Sequence, residues 1–286
     1  MMVTLLLIAL VLIGLFFSIR LWQEAGKKGA LGVSPEGVAL GAVANFFDTL
    51  GIGSFAPSTA WIKFRKLVPD SFIPAVLNSG HALPTVAQAL VFITIVKVDV
   101  TLLIGCIIAA VAGALLGAPL VQKMPVKRLQ MFVGAALLIA AVLFILKNLN
   151  LLPAGGAALA LPLSLMIGAF VAHFVMGALM TAGIGLYAPS LALLSLMGLD
   201  PKAVFPIMMG ACAFLMPSSG LSFIKSERID YRVVIGMAVG GIPAVLVAAF
   251  IVKELPLETL RWGVVVVVLY AAAVMLRSAF SPEDAR

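Results

Sequence analysis

The chain has 286 residues, of which 63% are hydrophobic and 11% are charged, and its mean hydropathy is +1.20. A composition this apolar excludes a soluble globular protein and indicates a polytopic helical membrane protein, because a helix satisfies its own backbone hydrogen bonds in lipid. The formal net charge of +7 comes from basic residues in short segments between apolar runs, which is the positive-inside pattern. We therefore expect contact with the lipid bilayer and no nucleic-acid partner.

The first apolar run begins at Met1 and ends before Arg20. No basic residue precedes this run and no small-residue cleavage site follows it, so we expect a retained transmembrane helix rather than a cleaved signal peptide. The charge pattern places the N-terminus outside and Arg20 in the cytoplasm. Residues 1–22 are therefore predicted to be an extra N-terminal transmembrane helix, followed by a cytoplasmic linker.

The next apolar segment, residues 37–62, is interrupted by a polar stretch from Asp48 to Ser58. A carboxylate, hydroxyls and two glycines inside an apolar segment are costly in lipid unless they line a cavity. Gly51 and Gly53, with Pro57 one turn further on, favour two half-helices joined by a non-helical break. The sequence therefore predicts a broken helix at this place.

The same pattern recurs after a shift of about 132 residues, so the chain contains an internal repeat. Composition bias alone would give about two or three identities in such a window. We interpret the chain as a tandem duplication, with a first repeat at 36–148, a second at 156–278 and a cytoplasmic tail at 279–286. The identical pairs are Thr49 and Thr181, Gly51 and Gly183, Ile52 and Ile184, Gly53 and Gly185, Ala56 and Ala188, Pro57 and Pro189, Ser58 and Ser190, Ala60 and Ala192, Leu67 and Leu199, Pro69 and Pro201, and Pro74 and Pro206.

Seven uncharged runs are each suited to one membrane crossing. They are Met1–Ile19, Ser71–Val96, Val100–Val121, Leu129–Leu146, Ala203–Ile224, Val233–Val252 and Trp262–Leu276.

The positive-inside rule also bears on the two broken segments. If both are re-entrant hairpins, most of the 19 basic residues lie inside, whereas two crossing segments would divide them almost equally. Each repeat is then a hairpin followed by three transmembrane helices, which is an odd number of crossings. The expected fold is therefore an all-α polytopic inverted repeat with a cytoplasmic C-terminus. Residues 157–182 are long enough to cross by themselves, so whether the second broken segment is re-entrant stays open.

An inverted repeat with a glycine-broken segment in matching positions is typical of an alternating-access transporter whose site lies near the midplane. A break exposes backbone amides at the start of a half-helix, and the partial positive charge of that helix end attracts anions. The sequence places no basic side chain deep within a span. We therefore expect a small anionic substrate that is bound mainly by helix ends and hydroxyls.

The pattern GIG-x-x-x-P at Gly51–Pro57, repeated at Gly183–Pro189, is each time followed by an apolar helix and a proline-containing loop. This arrangement resembles the TauE/SafE sulfite exporter family of bacterial membrane permeases, and the resemblance covers residues 36–278. It implies export of sulfite or small organosulfonates, driven by an ion gradient, across the bacterial inner membrane. Many members carry a further glycine where this chain has Ser54 and Leu186.

The candidate substrate-binding residues lie at the two breaks and in the helix after the first break. A hydroxyl in a membrane helix often bonds a backbone carbonyl instead, so we draw the inference from the clusters rather than from any single residue. The candidates are Thr49, Gly51, Gly53, Ser54, Asn78, Thr181, Gly183, Gly185 and Tyr187, with Ser58 and Ser190 in the same clusters.

Asp48 and His81 are the candidate ion-coupling residues. Asp48 is the acidic residue that lies away from loops, and its repeat partner is Met180, so the scaffold does not require a carboxylate there. It is expected to carry a coupling proton or bind a coupling cation; the alternative is a helix cap on the backbone amides of Gly51 or nearby residues. His81, and with less support His173, could relay a proton, the alternative being a neutral histidine bonded between helices.

No HExxH, GxSxG or Walker motif is present, and the acidic residues form no metal-binding cluster, so we expect neither an enzyme nor a cofactor. Cys106 and Cys212 lie inside apolar runs without CxxC spacing and are expected to be small core residues. The sequence leaves two alternatives to a secondary transporter, a passive anion channel and a non-transporting membrane assembly factor. A homo-oligomer is possible in each case.

Overall fold

The computed structural model describes residues 1–151 and 156–251, together with scattered helical residues between 262 and 280. Within these ranges the protein is helical and has no strand, apart from an isolated bridge between Ala158 and Leu199. The helices are α1 (Met2–Lys27), α2 (Pro35–Thr49), α3 (Phe55–Arg65), α4 (Ile73–Gly80), α5 (Ala82–Ile95), α6 (Val100–Gln122), α7 (Val126–Asn148), α8 (Leu163–Met180), α9 (Tyr187–Leu196), α10 (Pro201–Phe223) and α11 (Tyr231–Ile251), with a short 3₁₀ turn (Asp70–Phe72) before α4.

Among the described residues, six segments are long and apolar enough to cross a membrane, so the multi-pass prediction is confirmed. Five of the six coincide with predicted runs; the sixth is α8, which the sequence assigns to the second broken segment. The six are Met2–Lys27, Asp70–Ile95, Val100–Val121, Leu163–Met180, Pro201–Phe223 and Tyr231–Phe250.

The two remaining predicted runs have different outcomes. The run Leu129–Leu146 lies within α7, which is helical over its 23 residues. The run Trp262–Leu276 lies largely outside the described residues.

Helix starts follow from local sequence. Ser34 caps α2, because its Oγ accepts a hydrogen bond of 3.1 Å from the Gly37 amide, and Pro35 occupies the first helical position. Asp99 caps α6 in the same way, accepting from the Leu102 amide at 2.7 Å. These caps satisfy backbone donors that the first turn of a helix leaves without partners.

Two close helix pairs form the sides of the protein. The helix α2 packs along α11, and α6 packs along α8. A Cβ atom built on Gly41 would lie 2.2 Å from the Met237 carbonyl oxygen, and one on Gly113 would lie 1.9 Å from that of Phe174. Glycine at these positions allows backbone-to-backbone contact, as small residues do in membrane helix interfaces. A shift of about 132 residues maps α2 onto α8 and α6 onto α11.

The helices α4, α5 and α10 form the centre. The helix α10 packs against α4, α5, α6 and α1, and most of its residues are buried. The chain is interrupted between α4 and α5 at His81, whereas α10 continues through Pro206 and Pro217. The outer face of α1, which includes Leu12 and Leu15, is exposed, as expected for a surface in contact with lipid.

Each broken segment ends beside its own beginning. In the first, Arg65 Nε lies 2.7 Å from Glu36 Oε1, and the Trp61 indole donates to the same oxygen at 3.2 Å. The hydrogen bonds from Arg65 and Trp61 hold the pKa of the Glu36 carboxyl below its usual value. In the second, the Asp200 amide donates to the Ala158 carbonyl at 2.8 Å. The two legs of each segment are therefore joined near their outer ends.

Candidate functional site

The two glycine-containing stretches interrupt the helices as the sequence predicts. Gly51 and Gly53 have φ values of +81° and +89°, and Gly183 has a φ of +94°. This left-handed region is sterically unfavourable for residues with a side chain, which explains the glycines. The helix ends are also closed alike, since the Gly51 amide donates to the Asp48 carbonyl at 2.9 Å and the Gly183 amide donates to the Met180 carbonyl at 3.0 Å.

The two breaks lie in contact with each other. A Cβ atom on Gly53 would be 3.7 Å from the Cβ of Tyr187, and one on Gly185 would be 3.5 Å from the Cβ of Phe55. Phe55 and Tyr187 are the first residues of α3 and α9. The N-terminal ends of these two short helices therefore meet, and both carry the positive end of a helix dipole.

A hydrogen-bond chain connects the two breaks through α5. Tyr187 Oη donates to Gln88 Oε1 at 2.8 Å, and Gln88 Nε2 donates to Thr49 Oγ1 at 3.0 Å. All three residues are buried. The sequence pattern does not single out Gln88, although an amide side chain inside the apolar run Ser71–Val96 is a visible signal.

Asp48 lies beside these hydrogen-bonded side chains and is 1% exposed. Ser54, Gln88 and Tyr187 border its carboxylate. Its Oδ2 has no hydrogen-bond partner among the residues that the structure describes. Because the Gly51 amide bonds the backbone oxygen of Asp48, the side chain does not cap that amide. The nearby Ser54 amide, just before α3, does face the carboxylate, so the capping alternative stays open.

His81 is fully buried and bonds both legs of the first broken segment. Its Nδ1 lies 3.0 Å from Asn45 Oδ1 on α2, and its Nε2 lies 2.9 Å from Ser58 Oγ on α3. The amide nitrogen of Asn45 donates to the Gly41 carbonyl at 2.7 Å, so Oδ1 faces the histidine and accepts from its Nδ1–H. Nε2 then accepts from Ser58.

His173 makes a similar bond in the second broken segment. Its Nε2 lies 3.1 Å from Ser190 Oγ and its Nδ1 lies 2.8 Å from the Ala169 carbonyl. Ser58 and Ser190 occupy equivalent repeat positions, whereas the two histidines do not. Both histidines thus have the geometry of a neutral side chain bonded between helices, the alternative that the sequence left open.

We expect Ser58→Ala to destabilise the protein by about 1–3 kcal/mol, because it leaves the buried Nε2 of His81 without a donor. Ser58→Thr keeps the hydroxyl and serves as the control. The measurement is thermal unfolding of the detergent-purified protein. Equal melting temperatures for the alanine variant and the wild type would contradict this account of His81.

The remaining candidates also lie near the breaks. The amide of Asn78 on α4 donates to the Met180 carbonyl at the end of α8, at 3.2 Å, and accepts from Ser219 at 3.3 Å. The Thr181 hydroxyl donates to the Ala178 carbonyl at 2.7 Å, which is a bond to its own helix. Asn78 therefore connects the first repeat to the second break, while Thr181 points its proton back into α8.

Cys212 on α10 is buried at the same centre. Its sulfur lies 3.6 Å from the sulfur of Met180, the last residue of α8 before the second break. The sequence predicts a small core residue at Cys212 and gives no sign that it lies beside the breaks. In the described part of the chain, no group of three or more His, Cys, Asp or Glu side chains is placed to hold a metal ion.

This fold and site define a multi-pass helical membrane protein whose buried polar centre is formed where two helix breaks meet. Residues 165–286 match the family model described as Sulfite exporter TauE/SafE, a family of membrane transporters, and the resemblance stated from the sequence is thereby confirmed. Searches of curated proteins and of solved structures returned no match to the chain.

Proposed function

We propose that the protein is a secondary active transporter that exports small sulfur-containing oxyanions, such as sulfite or organosulfonates, by alternating access. The observation that carries this proposal is the contact between the two glycine breaks, which brings the N-terminal ends of α3 and α9 together in a buried polar centre. Two positive helix ends that face each other favour an anion between them. The match to the sulfite exporter family supports the substrate class.

We further propose that both broken segments are re-entrant and that the repeats are inverted. The joined legs at Glu36 and Arg65, and at Ala158 and Asp200, support a return of each segment to its side of entry. The first segment begins beside α11 through a bond between Ser34 and Arg232, and the second begins beside α6 through a bond between Asp99 and Leu159. Since α4 and α5 together make a crossing between α3 and α6, the two segments enter from opposite sides.

The donors proposed to bind the anion belong to both segments. Near Gly51 and Gly53, and near Gly183 and Gly185, the helix ends supply the polarity of backbone amides. Thr49, Ser54, Asn78, Thr181 and Tyr187 are the proposed side-chain contacts, and all five are buried. The hydroxyls of Thr49 and Thr181 must first leave the backbone carbonyls of Asn45 and Ala178 in order to donate to the anion.

Asp48 is the proposed coupling residue. An ionised carboxylate beside Ser54 and Tyr187 repels an anion and competes for the same donors, whereas a protonated carboxyl does neither. Proton binding and anion binding therefore favour each other, so the two cross together. Outward flux is then expected where the proton is more concentrated inside, or where the anion gradient itself is directed outward. His81 is a second candidate for the coupling residue. Its role would be less direct, because its own hydrogen bonds go to Asn45 and Ser58 rather than to Asp48.

Proteoliposomes loaded with radiolabelled sulfite test the proposal. We expect saturable efflux above that of protein-free vesicles, and accumulation against the sulfite gradient when a pH gradient is imposed. The alternative of a passive channel predicts flux without accumulation, and the alternative of an assembly factor predicts no flux. Gly113→Leu, whose side chain would meet the backbone of Phe174, is the control for vesicles that contain misfolded protein.

A further inference from the structure

The polar contacts to both broken segments come from the α4–α5 pair of the first repeat. Asn78, His81 and Gln88 lie along this pair and are buried. The positions on α10 that match them after the shift of about 132 residues are occupied by Gly210, Ala213 and Gly220, which carry no hydrogen-bonding side chain. The two repeats therefore contribute unequally to the centre.

Gln88 has a particular position in this arrangement. His81 bonds the two legs of the first broken segment, and Asn78 reaches the second. Gln88 bonds both breaks, through Thr49 on one side and Tyr187 on the other.

The hydrogen bonds that link Tyr187, Gln88 and Thr49 all donate in the same direction, from Tyr187 toward Thr49. The Thr49 hydroxyl donates to the Asn45 carbonyl at 2.8 Å, so its oxygen accepts from the Gln88 amide nitrogen. The amide oxygen of Gln88 then faces Tyr187, whose hydroxyl must donate. The one proton of the Tyr187 hydroxyl is thus used to hold the breaks together.

We infer that the Thr49–Gln88–Tyr187 chain is a latch that keeps the two breaks in contact when no anion is bound, and that Gln88 is an anion-binding residue. An oxyanion is a better acceptor than an amide oxygen, because charge-assisted hydrogen bonds are about twice as strong as neutral ones. A bound sulfonate or sulfite takes the Tyr187 O–H and a Gln88 N–H, and the bonds between the breaks are lost. This inference rests on the proposed function, since it names further contacts of the same anion site.

Cross-linking between the breaks tests the latch without measuring transport. Phe55→Cys and Gly185→Cys, in a background with Cys106→Ala and Cys212→Ala, place two thiols where the Cβ separation is 3.5 Å, which is within the range for a disulfide. The rate of oxidation to the disulfide reports how often the breaks are in contact. We expect Thr49→Val to lower this rate about two- to tenfold, the population change that one neutral hydrogen bond corresponds to.

Thr59→Val is the matched control, because the Thr59 hydroxyl bonds the Phe55 carbonyl of its own helix at 2.8 Å and takes no part in the latch. Sulfoacetate is the anion probe, since sulfite itself would cleave the disulfide. We expect saturating sulfoacetate to lower the cross-linking rate of the parent pair and to have no further effect after Gln88→Leu.

The possible outcomes test the latch and the anion-binding role of Gln88 separately. Equal cross-linking rates for the parent pair, Thr49→Val and Gln88→Leu would overturn the latch. A sulfoacetate effect that persists in Gln88→Leu would overturn the role of Gln88 in anion binding. If the parent pair does not cross-link, the contact between the breaks is absent and the inference fails with it. Failure of the proposed function is a separate result, the absence of sulfite flux in proteoliposomes.

A flux measurement on single variants complements the cross-linking. If the latch restrains the empty protein and not the loaded one, net efflux is slower than anion exchange in the wild type. Thr49→Val then raises the ratio of net efflux to exchange about two- to tenfold. A variant that merely perturbs folding lowers both rates together and leaves the ratio unchanged.

Discussion

We expect Asp48→Asn to abolish proton-driven accumulation of sulfite in proteoliposomes and to leave exchange of sulfite across the membrane measurable. The amide has almost the same shape as the carboxyl but cannot exchange a proton, and the site remains free of the negative charge that opposes anion binding. The measurement compares accumulation under an imposed pH gradient with exchange at equal pH on both sides. This contrast is the largest functional effect that we expect from a single substitution.

Asp99→Asn is the control for the loss of a carboxylate. Asp99 caps α6 through the Leu102 amide, and asparagine caps a helix about as well as aspartate does. It lies at a helix end, away from the breaks. Undiminished accumulation in the Asp48 variant would remove Asp48 from the coupling mechanism and leave His81 as the residue to test next.

Gly113→Leu should prevent correct assembly of the protein. A Cβ atom at this position would lie 1.9 Å from the backbone oxygen of Phe174, and a backbone atom cannot move aside as a flexible side chain can. The α6–α8 pair would have to separate, at a cost of about 3 kcal/mol or more. Size-exclusion chromatography and thermal unfolding of the purified protein measure the loss.

The neighbouring residue supplies the control. Ala112 is exposed and lies about 100° around α6 from Gly113, so a leucine there would contact lipid and Ala112→Leu should behave like the wild type. The α2–α11 pair offers the same comparison, with Gly41→Leu against the exposed Ala39→Leu. Similar unfolding temperatures for the two members of either comparison would show that the close backbone contact does not exist.

The breaks were predictable because their cause is local. Glycine at Gly51, Gly53 and Gly183 permits a positive φ, and the repetition of the pattern separates it from chance. Most of the transmembrane runs were predictable for a related reason, since a run of about twenty apolar residues needs no partner to be recognised.

The partners of the polar side chains were not predictable in the same way. Nothing next to Gln88 in the sequence points to Thr49 or to Tyr187, because these contacts exist only after three helices have packed. The shift between repeats also misleads at the histidines, since Ser58 and Ser190 are equivalent whereas His81 and His173 are not. Internal symmetry thus predicts the backbone better than it predicts the chemistry.

The unequal contribution of α4–α5 and α10 has an energetic consequence. A carrier built from two identical halves would have inward-facing and outward-facing forms of equal free energy. Here one half supplies hydrogen-bonding side chains at three positions where the other half has none. The three positions are Asn78, His81 and Gln88 in the first half and Gly210, Ala213 and Gly220 in the second. The inward-facing and outward-facing forms, in which the halves exchange conformations, therefore differ in their number of hydrogen bonds. Under the proposed alternating access, we therefore expect the unloaded protein to have a resting orientation, and the concentration of anion that half-saturates it to differ between the two faces of the membrane.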